Sequence, residues 1–179
     1  RRKGARMIPF PTLCIKTRGL PTLCKETFAI LPSLPTTISP SCKSFAFIWV
    51  VAGYSLAFKG SNPFIGNLDY FLLANLTRES LSGSIPESVF IIFQMTFAII
   101  TPALVVGAFA ERMRFTAMVI FSSVWLLLVY IPACHLIWGG GYLGELGVID
   151  FAGGLVVHAT CGIAALVCAC LLYTSDAAD

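Results

Sequence analysis

His158 sits inside an uncharged stretch, Phe151–Tyr173, eight residues after Asp150. In a helix rising 1.5 Å per residue, that spacing carries the imidazole about 12 Å along the axis. The position is near the middle of a hydrocarbon layer about 30 Å thick. An ionisable group at that depth is costly when charged, so it either stays neutral and hydrogen-bonded or lines a polar path. Within a membrane span the polar path is the favoured reading. His135 lies near the end of its own apolar stretch, where a packed, hydrogen-bonded histidine is the simpler assignment. Trp138 follows it and precedes Gly139-Gly140-Gly141. An indole at a membrane interface is ordinarily an anchor. Near an acid and above a buried histidine, it is equally suited to a cation-attracting mouth, because a ring face attracts a partly dehydrated cation by about 1–2 kcal/mol. Asp150 can accept hydrogen bonds from the free N–H groups at the start of the following helix.

No metal, haem or other cofactor is expected. The two histidines sit at unequal depths. Cys134, Cys161, Cys168 and Cys170 lie in apolar runs, where a thiol behaves as a small hydrophobe. Cys14 and Cys24 lack the second close pair that a zinc site needs. One histidine without an acid at its depth also falls short of a catalytic cluster, so the chain is not expected to be an enzyme.

The elements that must position these residues are membrane helices. Of 179 residues, 57% are apolar and 12% charged, with mean hydropathy +0.85. So few charges neither cover a water-soluble globule nor keep a chain disordered. Spans are expected at about 45–58, 86–110, 115–137 and 151–172. The first has only about 14 uncharged residues, short of the roughly 20 that cross a bilayer. Strict period-2 alternation is missing, so the expected fold class is all-α, a polytopic transmembrane helix bundle. Ser84-Ile-Pro-Glu87 has the form of a capping box, with Pro86 in the first turn. Pro102 and Pro132 fall inside spans, which membrane helices tolerate. Small residues from Gly153 to Ala169 suit a helix packed closely within a bundle.

Charge sets the organisation and the orientation. Residues 1–44 hold Arg1, Arg2, Lys3, Arg6, Lys16, Arg18, Lys25 and Lys43 against Glu26 alone. Its prolines interrupt regular structure and its aromatics are few, so it is read as a disordered or non-native extension and not as a nucleic-acid arm. Residues 45–172 form the membrane domain, and the acidic stretch 173–179 reads as a foreign or truncated tail. Arg112 and Arg114 join two spans, whereas the link 138–149 has neither Lys nor Arg. The positive-inside rule therefore puts Arg112 and Arg114 in the cytoplasm and Trp138 and Asp150 outside. The expected location is a plasma or inner membrane, crossed several times.

Several long motifs resemble a known family. Phe93-Gln-Met-Thr-Phe-Ala-Ile-Ile-Thr-Pro-Ala-Leu-Val-Val-Gly-Ala-Phe-Ala-Glu-Arg112, Tyr130-Ile-Pro-Ala-Cys-His-Leu-Ile-Trp-Gly-Gly-Gly141 and Asp150-Phe-Ala-Gly-Gly-Leu-Val-Val-His158 resemble successive signatures of the ammonium transporter family (Amt/MEP/Rh). Trp49-Val-Val-Ala-Gly-Tyr-Ser-Leu-Ala-Phe58 resembles the end of that family's second helix. The resemblance implies a partial ammonium-transporter fold, the first of two inverted halves, covering helices two to five. It implies ammonium and ammonia as cargo, a lipid bilayer as surroundings and a homotrimer at full length. By resemblance, Trp138 and Phe97 bind the cation at an outer site, and Phe97 also serves the gate below. Asp150 shapes the outer mouth without touching the ion. His158 is the first of two pore histidines that help carry the proton while ammonia crosses. The second histidine, the second gate phenylalanine and the outer-site serine belong to the other half, which this sequence does not contain. An ammonium sensor on the same fold is the alternative reading. A Rh-type gas channel lacks the aromatic site, and Trp138 argues against it.

Overall fold

The computed structural model describes residues 40–77, 79–109 and 112–176. Most of the basic extension, Cys14, Cys24, Glu111 and the last three residues of the acidic tail lie outside them. Among the described residues, four helical segments are long and apolar enough to cross a membrane: Ser41–Phe58, Glu87–Val106, Phe115–Glu145 and Gly154–Leu172. The chain is a multi-pass membrane protein built as an all-α bundle.

The first span is α1, Pro40–Ile48, a π turn at Trp49–Gly53, and α2, Tyr54–Phe58. It starts before the expected 45, because Lys43 does not end the helix. Its side chain is exposed, so its charge is not buried and the helix can run through it. The second span is α3, Glu87–Val106. The third runs through α4, Phe115–Trp125, a π turn at Leu126–Tyr130, and α5, Ile131–Ile137. Pro132 has no N–H to return to the preceding turn, and the backbone widens just before it. A short α6, Tyr142–Glu145, follows the glycines. The fourth span opens with a π turn, Gly154–Ala159, and continues as α7, Thr160–Asp176, past the expected end at 172.

The start of the second span departs from the sequence reading. No capping box forms. Leu81–Ser82 (β1) and Ile85–Pro86 (β2) pair antiparallel, and Gly83 and Ser84 make the turn between them, with Gly83 at φ +63°. Pro86 stands just before the helix, and the Glu87 N–H bonds the Ser80 carbonyl oxygen at 2.8 Å. The Glu87 carboxylate turns inward instead. It accepts the Tyr54 hydroxyl at 2.6 Å and pairs with Lys59 at 2.7 Å.

In the first span, α1 packs on α3 and α4, and α2 packs on α5. The second span in turn packs on the fourth. Trp49, Tyr54, Leu126, Tyr130, Ile131 and Val156 are fully buried in this core. Two ends result. Lys59, Glu87, Trp138 and Asp150 share one. Arg112 and the end of the fourth span share the other, where the Arg112 guanidinium donates to the Leu172 carbonyl at 3.3 Å.

Candidate functional site

Trp138 ends α5, beside the glycines that turn the chain out of the third span. Gly139 must be glycine, since an added Cβ would collide with the Ala57 carbonyl oxygen of the first span. Through that close approach His135 reaches across, its Nδ1 3.0 Å from the Ala57 carbonyl oxygen and its Nε2 2.7 Å from that of Asn62. His135 is buried, a packed histidine that fastens the outer loop, as its position near the span end suggested.

Asp150 joins two elements. Its backbone carbonyl accepts the Trp138 indole N–H at 2.7 Å. Its carboxylate accepts the N–H groups of Gly154 at 2.7 Å, Leu155 at 2.9 Å and Val156 at 2.9 Å. The sharp entry between them needs Gly153, whose φ of +79° and 2.8 Å Cβ approach to Val157 leave no place for a side chain. Partial burial pushes the Asp150 carboxyl up, and the N–H groups of Val156, Leu155, Gly154 and Gly153 outweigh it and hold it below the usual carboxylate range. The helix-start role expected for Asp150 is therefore observed, as a side-chain cap of a π turn.

Phe97 lies on α3 with its ring edge-on to Trp138, centroids 5.8 Å apart and planes at 63°. Phe93, one turn nearer the start of α3, meets Phe97 at 5.1 Å and 88°. The Thr101 hydroxyl donates to the Phe97 carbonyl at 2.6 Å, just before Pro102, which lies inside the continuous helix. These rings, with Phe58, Phe90, Phe151 and Gln94, line a cleft of about 260 Å³. Phe97, Trp138 and Asp150 are thus brought together. His158 is not in the cleft. It lies in the π turn beyond Asp150 with an exposed ring, and makes no side-chain hydrogen bond among the described residues.

Phe58, Phe90, Phe93, Gln94 and Phe151 were not singled out from the sequence. Phe90, Phe93 and Phe97 recur at helical spacing, and Gln94 is the one amide in an uncharged span. That pattern on one helix face was the available signal. Among the described residues no group of three or more His, Cys, Asp or Glu could hold a metal.

An aromatic cleft at one end of four spans, fixed by an acid that binds the next helix, fits the resemblance in the motifs. Residues 34–177 match the Ammonium Transporter Family. The chain belongs to that family. It is 50% identical over 129 residues to an ammonium transporter of Bacillus subtilis, covering 71% of this chain and 32% of that protein. It is 42% identical over 174 residues to ammonium transporter 1 of Dictyostelium discoideum, covering 94% and 36%. The crystal structure of Candida albicans Mep2 superposes with a TM-score of 0.65 at 41% identity, over 70% of this chain and 28% of that one. The chain thus spans about a third of the length of the curated relatives it matches.

Proposed function

We propose that this member of the ammonium transporter family forms part of a transmembrane channel or transporter for ammonium and ammonia. Trp138 and Phe97 recruit the ammonium ion at the outer mouth. Asp150 holds the indole and the fourth span in register and does not touch the cargo. His158 lines the pore beyond and helps carry the proton while neutral ammonia crosses. The complete protein works as a homotrimer. The observation that carries this reading is the Phe97–Trp138 pair, two rings at 5.8 Å on separate spans lining one cleft.

The physics favours this division of labour. Ring faces attract a cation through the quadrupole and gain little from a neutral gas. A bare cation in an apolar pore is expensive and ammonia is not. An imidazole at membrane depth suits proton handling because its two nitrogens exchange donor and acceptor roles. The experiment compares Trp138→Leu with the unaltered protein, expressed at the full length of its reading frame and reconstituted in liposomes. The variant should need a several-fold higher ammonium concentration for half-maximal transport, with passage of neutral ammonia less affected. Equal loss in both assays would assign Trp138 to packing.

A further inference from the structure

Gln94 is a polar side chain that the aromatic cleft leaves without an assigned part. It lies on α3 between Phe93 and Phe97, lines the cleft with them and with Trp138, and is 8% exposed. Its Oε1 is buried and has no hydrogen-bond partner among the described residues. The hydroxyls beside it differ. Thr96 donates to the Phe93 carbonyl and Thr101 to the Phe97 carbonyl, each at 2.6 Å. Buried amide oxygens in native proteins are nearly always paired, so one left open beside a binding cleft points to a missing donor.

A cation held between aromatic rings supplies that donor. Ammonium carries four N–H groups, and ring faces satisfy its charge better than its directional bonds. Each N–H stripped of water needs an acceptor or it loses a hydrogen bond on entry. The terminal torsion of a glutamine is broad, so Oε1 can turn towards the cleft with the helix unmoved. An amide oxygen also leaves the site neutral, so the cation can depart inward more easily than from a carboxylate.

We infer that Gln94 is a specificity-determining ligand of the cation, its Oε1 accepting a hydrogen bond from an ammonium ion held against Phe97 and Trp138. The inference rests on the aromatic recruitment proposed above and adds a chemical criterion to it. Rings alone rank cations by size and ease of dehydration, whereas an added acceptor favours cations that bear N–H groups. Ammonium and methylammonium qualify, and tetramethylammonium does not.

The test uses the full reading frame in liposomes, with Gln94→Met, Gln94→Glu and Trp138→Leu beside the unaltered protein. Two quantities are read, the ammonium concentration for half-maximal transport and the thermal midpoint. Gln94→Met keeps the volume and removes the acceptor. It should raise the half-maximal concentration about tenfold, equivalent to about 1.4 kcal/mol, with a thermal midpoint equal to or above the original. Gln94→Glu restores an acceptor and should return the concentration to the original value or below. An unchanged concentration in Gln94→Met overturns the inference. So does a rise accompanied by a lower thermal midpoint, because the oxygen would then have a structural partner. If Trp138→Leu weakens recruitment while Gln94→Met does not, the Gln94 inference alone fails. If Trp138→Leu has no effect, the aromatic reading fails first.

Discussion

Asp150 works through two sets of atoms, and their separation makes its contribution testable with pH. The carbonyl holds Trp138, and the carboxylate holds three N–H groups at the head of the fourth span. Those N–H groups hold its pKa below the ordinary value. A group with a depressed folded pKa stabilises fully above its unfolded value, about 3.9 for aspartate, and loses that contribution as pH falls through the folded pKa. Asp150→Asn should therefore lower the thermal midpoint at pH 5–7, and the gap to the unaltered protein should close below about pH 4. A gap that persists undiminished at pH 3 would mean that geometry, not charge, carries the cap. The helix-start role was readable because an acid before an apolar run has few other uses. His135 was readable for a similar reason, since a histidine at a span end has carbonyls within reach. Gln94 was not, because sequence alone does not reveal whether a buried amide has a partner.

At the scale of elements, a tertiary contact overrode a local pattern. Ser84 and Glu87 have capping-box spacing, yet Glu87 spends its carboxylate on Tyr54 and Lys59 of the first span and its connection. The Lys59 ammonium also sits 4.1 Å from the Tyr70 ring centroid. Two charge-assisted bonds to a buried acid outweigh one exposed cap, and the hairpin at Leu81–Pro86 takes over the turn. Glu87→Leu strands the lysine and the tyrosine together, and should cost about 2–4 kcal/mol, less than a fully buried pair because Lys59 keeps some water. The Lys59→Met/Glu87→Leu double variant should lose less than the two single variants summed, as measured by thermal or chemical unfolding. Strict additivity would show that the pair does not couple. The Ser84 substitution to alanine, which would remove a true cap, should have little effect. Among the described residues, the number, order and helical nature of the spans were legible, because length and hydropathy dictate them. The helical stretch before residue 45 was not, since one exposed lysine interrupts a charge count without interrupting a helix.

For the whole molecule, helix order puts Arg112 and Leu172 at one end and Trp138 and Asp150 at the other. By the positive-inside rule the arginines are expected to make the first end cytoplasmic. A cysteine introduced at Met113 should resist an impermeant thiol reagent in intact cells and react after permeabilisation, and ready labelling from outside would reverse the topology. The fourth span leaves Ile163, Leu166 and Leu171 about two-thirds exposed, which suits contact with lipid or further helices. The family motifs were legible because they are long and ordered, whereas the cleft's full lining needed the helices packed. The central claim is that ammonium is held by the rings of Phe97 and Trp138. The most direct measurement is solid-state NMR on the full-length protein in lipid bilayers, with ¹⁵N-ammonium and ¹³C-labelled phenylalanine and tryptophan rings. The account predicts dipolar contacts from bound ammonium to both rings, at distances within about 6 Å, that disappear in Trp138→Leu. Bound ammonium without a contact to either ring would contradict it.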